Sequence, residues 1–248
     1  MRAVAKPGRH LVAALILASL AAGAAPAVAD TSAAALKARA QAYLDTRAAD
    51  LGAANRRIWS LAETALDEAG SAAELQALLA AEGFKVDAGV AGLPTAFVAT
   101  YGSGRPVIGI LAEFDALPGV SQAAAATPGA GPNPAAGHAC GHSAFGVGSA
   151  GAALAIKQLL ADGSLRGTVR LYGTPAEETA IGKVYMLRAG YFKDDDVVFT
   201  WHPGDRTLAP NGTSMSLVNV RFRFRGQPAH AALQPFSGRS ALDAVELM

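Results

Sequence analysis

The residues best suited to chemistry lie in one short stretch, Gly137 to His142, which reads GHACGH. It contains the single cysteine of the chain and two of its five histidines. Thiolate sulphur and imidazole nitrogen are ligands that zinc-type ions prefer, and short spacers allow two of them to reach one ion. The stretch therefore predicts a metal site. The alternative interpretation is a buried thiol beside two surface histidines.

Two acidic residues and another histidine follow predicted strands in the way that a site on a sheet edge requires. Asp115 follows an apolar run at 107–111, and Glu177 and Glu178 follow a second predicted strand at 168–172. His202 follows a third, at 197–201. Open α/β sheets bind their ligands at the carboxyl ends of their strands. We therefore expect these side chains to converge with the Cys140 loop on one edge of a sheet.

The elements that position these residues alternate between strand and helix. Helical patterns cover 31–64, 71–82, 143–160 and 182–189, and further strands are predicted at 84–90 and 95–101. Ser71 and Glu74 have the spacing of a capping box for the second helix. This alternation favours an α/β domain with a largely parallel sheet.

A hydrolytic metal site needs ligands, an open position for water and a nearby base. Cys140, His142, Glu178 and His202 are candidate ligands. One member of the Glu177/Glu178 pair can bind metal while the other acts as general base, and Asp115 can orient a ligating imidazole. The alternative for the acidic pair is a solvated helix start, where carboxylates favour the helix dipole.

The first 29 residues have the pattern of a secretory signal peptide. A basic start at positions 2–10 precedes an apolar run at 11–22 and the small residues Ala27-Val28-Ala29. The apolar run is shorter than the roughly 20 residues that a bilayer span needs. We therefore predict cleavage after Ala29, no membrane association afterwards, and a secreted or periplasmic location.

Composition excludes several other classes. The 248 residues carry 21 basic and 20 acidic side chains, and this balance argues against a nucleic-acid partner. The 51% of hydrophobic residues are enough for a sizeable core. The single cysteine cannot form an internal disulfide, so metal ligation is the better explanation for a thiol in an exported protein.

A glycine-rich run at 146–151 fits the pattern GxGxxG. The dinucleotide fingerprint requires a strand directly before it and an acidic residue about 20 positions later. Here the Cys140 loop precedes the run, and the nearest acid after it is Asp162. The glycines are better explained by close packing of a helix on the sheet.

The pattern changes after about residue 214. Residues 217–225 alternate apolar and polar side chains, which predicts a half-buried antiparallel strand with Arg221, Arg223 and Arg225 on a solvated face. Ser240 is a predicted cap for a helix over 241–248. We expect a second module to begin here.

Several segments, in this order, carry a resemblance to a known family. They read EFDALPG (113–119), GHACGHS (137–143), GTPAEE (173–178), WHP (201–203), GQPAHAA (226–232) and GRSALDAVELM (238–248). Together they resemble the metallo-amidohydrolases and metallopeptidases of the aminoacylase and carboxypeptidase G kind. The most similar subgroup contains hippurate hydrolases, auxin-conjugate hydrolases and p-aminobenzoyl-glutamate hydrolases. The sequence near Gly173 and Gly238 most resembles the p-aminobenzoyl-glutamate hydrolases.

The resemblance implies a two-metal amidase, with zinc or manganese, that cleaves an N-acyl amino acid or a dipeptide-like small molecule such as p-aminobenzoyl-glutamate. It makes Glu177 the general base and assigns oxyanion stabilisation to His230, acting across a dimer interface. Asp115 matches a carboxylate that contacts a ligand and does not itself bind metal, and His138 supports the loop without binding metal. The residues that match metal ligands are Cys140, His142, Glu178 and His202.

The resemblance also implies a domain organisation. Residues 30–213 would form the N-terminal part of a three-layer zinc-exopeptidase-like domain with a mixed, mainly parallel sheet. Residues 214–248 would begin an α+β lid or dimerisation domain, through which the full-length form makes a homodimer or a heterodimer with a related subunit. The family takes a further histidine ligand from sequence after the lid. We therefore expect a truncated chain, whose alternative function is that of an inactive metal- or peptide-binding relic.

Overall fold

The computed structural model describes residues 31–179, 181–209, 212–213, 216, 218 and 220–248. The predicted signal peptide, residues 1–29, lies outside these residues, as do Leu217 and Asn219 of the predicted strand in the second module. The chain divides into two compact units, one ending at Gly204 and one beginning at Asp205. The predicted domain boundary at residue 213 stays a prediction.

The first unit is built on seven strands that form one large sheet and one small ribbon. The strands are β1 (Lys85–Ala88), β2 (Phe97–Ser103), β3 (Val107–Ala112), β4 (Leu117–Pro118), β5 (Ala136–Gly137), β6 (Gly167–Gly173) and β7 (Val197–Phe199). The large sheet has the order β1-β2-β6-β3-β7, and β4 pairs with β5 outside it. Strand β3 pairs in parallel with β6 and β7, whereas β2 is antiparallel to β1 and β6. Four strands of the sheet therefore run in one direction and β2 runs against them.

Helices cover both faces of this sheet. On one face lie α1 (Ala33–Leu61), α2 (Ala69–Ala81) and α3 (His142–Ala161), and on the other lies α4 (Gly182–Arg188) with a 3₁₀ turn at Val90–Gly92. The alternating side chains of β6 explain the division, because Val169 and Leu171 enter the core under α3 while Tyr172 enters the core on the α4 side. The unit has three layers and a mainly parallel sheet, so the predicted fold class is confirmed.

Helix α3 is the central helix of this unit. It is long and apolar enough to cross a membrane by length and composition alone, but 12 of its 20 residues are buried against the sheet and the other helices. Its glycines make this packing possible. A Cβ at Gly146 would lie 2.9 Å from the carbonyl oxygen of Glu113, and one at Gly148 would lie 2.8 Å from the Trp201 ring. The packing interpretation of the GxGxxG run is confirmed.

The start of α2 differs from the prediction. The helix begins at Ala69, so Ser71 lies inside it and does not cap it. The carboxylate of Glu63 accepts hydrogen bonds from the N–H groups of Gly70 and Ser71, at 2.9 and 2.7 Å, and from the Ser71 hydroxyl. The predicted capping box was wrong because an acidic side chain from the preceding loop satisfies these donors.

The second unit, described from Asp205 onward, has little regular structure. Gln227 and Arg239 form an isolated antiparallel bridge, and α5 (Ala241–Glu246) begins after Ser240, whose hydroxyl accepts from the Asp243 N–H at 3.1 Å. The predicted Ser240 cap is therefore confirmed. The predicted strand at 217–225 was wrong for its described residues, which have no strand pairing, and Val218 and Phe222 are 81% and 61% exposed. An alternating pattern forms a strand only where another strand accepts its hydrogen bonds.

Candidate metal centre

Four elements of the first unit end or begin at one edge of the sheet. Strand β3 leads into Glu113 and Asp115, and β6 leads into Glu177 and Glu178. Strand β7 leads into His202, and α3 begins at His142, two residues after Cys140. Parallel strands bring their carboxyl ends to the same edge. The structure therefore brings these predicted side chains together at one edge of the sheet in the first unit.

His142 is the centre of this group and is completely buried. Its Nδ1 lies 2.8 Å from Asp115 Oδ1, and Asp115 Oδ2 accepts from the Glu178 backbone N–H at 2.9 Å. Asp115 therefore joins two loops and, by holding Nδ1, directs Nε2 of the imidazole towards the other carboxylates. Burial alone would lower the pKa of His142, but the carboxylates of Asp115 and Glu113 outweigh it and raise the pKa to about 10.

Cys140 and His202 form the more exposed side of the group. The Cys140 Sγ lies 3.3 Å from His202 Nε2, and His202 Nδ1 lies 2.9 Å from the carbonyl oxygen of Pro203. The rings of His142 and His202 are 5.5 Å apart, and Phe145 packs between these histidines and Trp201. Burial and the nearby Glu178 carboxylate raise the pKa of the Cys140 thiol to about 12. A cation beside the sulphur would reverse this effect and favour the thiolate.

The donor atoms fit a divalent metal ion. Among the described buried side-chain atoms without a hydrogen-bond partner, three belong to this group: Glu113 Oε2, His142 Nε2 and Glu178 Oε1. Buried polar atoms are nearly always paired, so their convergence needs an explanation, which an ion provides. Two sets of ligand atoms lie within 4.8 Å of one another, namely Cys140 with His142 and His202, and Glu113 with His142 and Glu177. Sulphur, nitrogen and oxygen donors together suit zinc and related borderline ions.

Glu177 has the environment of a general base. Burial and the nearby carboxylates of Glu113 and Glu178 raise its pKa, while the Lys183 ammonium opposes the shift. The carboxylate also belongs to one of the two ligand sets. A base beside the donor atoms with a pKa above its usual value suits proton transfer near neutral pH.

The other two predicted histidines have different surroundings. His138 is buried, and its Nε2 lies 3.2 Å from the carbonyl oxygen of Ile58 in α1, which fits the expected role of supporting the loop. His230 belongs to the second unit, and its Nδ1 accepts from the N–H groups of Ala232 and Leu233 at 3.2 Å. The proposed role of His230 therefore remains a prediction from the resemblance.

Sequence patterns did not identify three residues that shape the centre. Glu113 lies beside His142, with its Oε2 3.0 Å from His142 Nε2, and Lys183 lies 2.5 Å from Glu113 Oε1. Burial alone would raise the pKa of Glu113, but His142 and Lys183 outweigh it and lower that pKa. Position at a strand end was an available indication for Glu113, whereas nothing in the sequence distinguished Lys183.

The third is Glu68, which precedes α2 and is completely buried. Its carboxylate accepts from the Thr95 hydroxyl and from the Ala176 N–H, both at 2.8 Å. Ala176 has a left-handed backbone with φ of 57°, which a residue with a Cβ rarely adopts. Glu68 therefore holds the turn that presents Glu177 and Glu178.

Comparison with known proteins gives one family. The model for peptidase family M20/M25/M40 matches residues 109–244. The chain is 43% identical, over 77% of its length, to one of the p-aminobenzoyl-glutamate hydrolase subunits of Escherichia coli, and 35% identical, over 90% of its length, to the mouse Xaa-Arg dipeptidase. These matches cover 40% and 51% of the two relatives, so the chain spans about half the length of the curated relatives it matches.

A solved structure agrees with these matches. It is a Bacillus subtilis protein described as a dinuclear metal-binding peptidase of the M20 family, and it is 30% identical to this chain. The TM-score is 0.55, with 63% of this chain and 43% of that one covered. The resemblance predicted from the motifs is confirmed.

Proposed function

Because the chain belongs to peptidase family M20/M25/M40, we propose that it is a metal-dependent amidohydrolase. The substrate would be an N-acyl amino acid such as p-aminobenzoyl-glutamate. The observation that carries the proposal is the convergence of two unpaired buried atoms, His142 Nε2 and Glu178 Oε1, beside Cys140 and His202. The substrate class is suggested by the name of the Escherichia coli relative.

Each residue of the centre has a proposed task. Cys140, His142, Glu178 and His202 would hold two divalent ions, zinc or manganese, and Asp115 keeps His142 in the ligating tautomer. The ions would supply Lewis-acid polarisation of the amide carbonyl and lower the pKa of water. Glu177 accepts a proton from the attacking water and returns it to the departing amine. His230 donates a hydrogen bond to the developing oxyanion, a role taken from the resemblance.

The location and the oligomeric state of the protein are also proposals. We infer export to the periplasm or the medium from the signal-peptide pattern of residues 1–29, and N-terminal sequencing of the mature protein would then begin at Asp30. We further infer that the protein forms a homodimer or pairs with a related subunit, because the name of the Escherichia coli relative describes it as a subunit. Light scattering of the protein in solution measures this directly.

Hydrolysis by the chain loaded with zinc or manganese tests the function. Release of p-aminobenzoate from p-aminobenzoyl-glutamate, followed by chromatography, should fall by roughly 10²–10⁴-fold in Glu177→Gln, the range that general-base catalysis contributes. The metal content should not change. A dipeptide with C-terminal arginine, the substrate type in the name of the mouse relative, serves as the competing substrate.

The matched control is Glu74→Gln, which removes an acidic side chain that pairs with Arg57 on the surface of the helices. It should leave both turnover and metal content unchanged. Bound metal without turnover of either substrate would contradict the proposal and favour the binding relic. Equal turnover by Glu177→Gln would contradict the assignment of the base.

A further inference from the structure

Glu113 is a buried carboxylate that the proposed mechanism does not use. It follows β3 directly and is only 5% exposed. Its two oxygens differ: Oε1 lies 2.5 Å from Lys183 Nζ, whereas Oε2 has no hydrogen-bond partner and lies 3.0 Å from His142 Nε2. A buried carboxylate oxygen without a partner carries an uncompensated desolvation penalty. The oxygen therefore needs a positive neighbour, which is a protonated His142 or, where His142 is a neutral ligand, a metal ion.

The atom that faces this oxygen is itself an acceptor in the ligating form of His142. Because Asp115 holds Nδ1, which carries the proton in that form, Nε2 presents a lone pair towards Glu113 Oε2. Two lone pairs 3.0 Å apart repel each other unless a proton or a metal ion lies between them. Zinc lies about 2.0–2.2 Å from nitrogen and oxygen ligands, so two ligands of one ion lie roughly 3–3.5 Å apart. The Glu113–His142 distance falls in this range.

Neighbouring carboxylates extend this pair into an acidic cluster, in which Glu178 is a proposed ligand and Glu177 is the proposed base. A Glu177 oxygen lies within 4.8 Å of the Glu113 and His142 donor atoms, and Glu178 Oε1 lies 3.9 Å from His142 Nε2. The formal charges of the groups in this cluster also favour the binding of cations. Five potential anions and one ammonium leave four negative charges, which two divalent ions would neutralise. These groups are Glu113, Asp115, Cys140, Glu177, Glu178 and Lys183.

We propose that Glu113 is an additional metal ligand through Oε2, and that Lys183 is the positioning residue that leaves this oxygen free. The inference rests on the proposed metal centre and adds an acidic ligand to it. Lys183 occupies Oε1 with an ion pair and thereby favours binding of the metal through a single oxygen. Lys183 comes from α4, on the face of the sheet opposite α3. Both helical layers would therefore contribute to the centre.

Metal titration without substrate tests this inference. The full chain is stripped with a chelator and titrated with Zn²⁺ by calorimetry and with Co²⁺ by absorption spectroscopy, which reports coordination number. Glu113→Gln should weaken the affinity of at least one ion by roughly 10–100-fold or more, which is the effect of losing even an outer partner of a ligand. The same variant should change the Co²⁺ spectrum. Lys183→Met should weaken binding less, by about 10-fold, the lower end of the range for an outer partner, since the ligand itself remains.

Two further variants separate ligation from structural effects. Glu82→Gln is the matched control, because Glu82 pairs with Arg47 and Lys157 and is not among the residues of the centre. It should leave affinity and spectrum unchanged. Glu113→Asp keeps the charge but shortens the side chain, so it should lower the metal affinity. The metal-free variant should unfold at the same urea concentration as the metal-free wild type. Unchanged affinity and an unchanged Co²⁺ spectrum in Glu113→Gln would overturn the inference.

The two proposals fail in distinguishable ways. Metal binding that depends on Glu113, without hydrolysis of an N-acyl amino acid, would support the inference and overturn the proposed function. Hydrolysis with metal binding that is indifferent to Glu113→Gln would support the function and overturn the inference.

Discussion

The two units of the chain differ in how their side chains are held. In the first unit, apolar residues from strands and helices form continuous cores, with Phe97 and Leu171 completely buried. From Asp205 onward, no described residue is buried. The hydrophobic sequences of the two regions look comparable, because 217–225 alternates as regularly as a strand should. Packing partners, rather than pattern, therefore decide which region acquires fixed structure.

The same contrast applies to the two histidines with the most specific proposed roles. His142 is fixed by Asp115, which itself binds the loop of Glu178. His230 is exposed, and its described hydrogen bonds are with the backbone of its own turn. The proposed ligand is therefore oriented by the fold of its unit, whereas the proposed oxyanion donor is oriented only locally.

The largest expected effect is on the core of the first unit. Leu171→Ala removes a completely buried side chain from the middle of β6 and should lower the free energy of unfolding by about 2–5 kcal/mol. Urea unfolding followed by circular dichroism measures this change. A loss below about 1 kcal/mol would contradict a well-packed core and reduce the contrast between the units.

A smaller effect is expected where the core meets the metal centre. Asp115→Asn places an amide where Asp115 Oδ2 accepts from the Glu178 N–H, so two donors would face each other or the His142 contact would be lost. Metal affinity should fall by about 10–100-fold, as measured by calorimetry. The control is Asp162→Asn, which alters an ion pair with Arg39 and should not affect binding. Equal affinities of both variants would show that Asp115 does not orient the ligand.

The smallest effect is expected in the second unit. Phe222→Ala removes a larger side chain than Leu171→Ala does, yet Phe222 is exposed, so the free energy of unfolding should change by no more than about 0.5 kcal/mol. The same urea titration serves as the measurement. A change as large as that of Leu171→Ala would mean that Phe222 packs against a partner, and the contrast between the units would disappear.

Most of the first unit could be predicted from periodicity. The apolar run at 107–111 and the helix after His142 agree with β3 and α3 to within one residue, because burial requires their hydrophobic patterns. The start of α2 could not be predicted from Ser71, since its donors are satisfied by Glu63, eight residues earlier. A spacing rule within one helix takes no account of a side chain from another part of the chain, such as Glu63.

The centre was predictable only in part for a related reason. Asp115 and His202 follow predicted strands, and Cys140 and His142 stand at the start of a predicted helix, so their convergence follows from topology. Lys183 reaches Glu113 across a separation of 70 positions, and Glu68 reaches Ala176 across 108. Such contacts depend on how α2 and α4 pack against the sheet, which spacing within either segment does not determine.

The ring of Phe145 has a consequence for how the protein responds to metal supply. It lies against His142, His202 and Trp201, and it is itself completely buried in α3. The residues proposed to bind the ions therefore pack directly against residues that exclude water from the interior. A ligand that binds only the native state raises its stability in proportion to the logarithm of free concentration. The resistance of the first unit to heat would thus report the availability of divalent ions in its compartment.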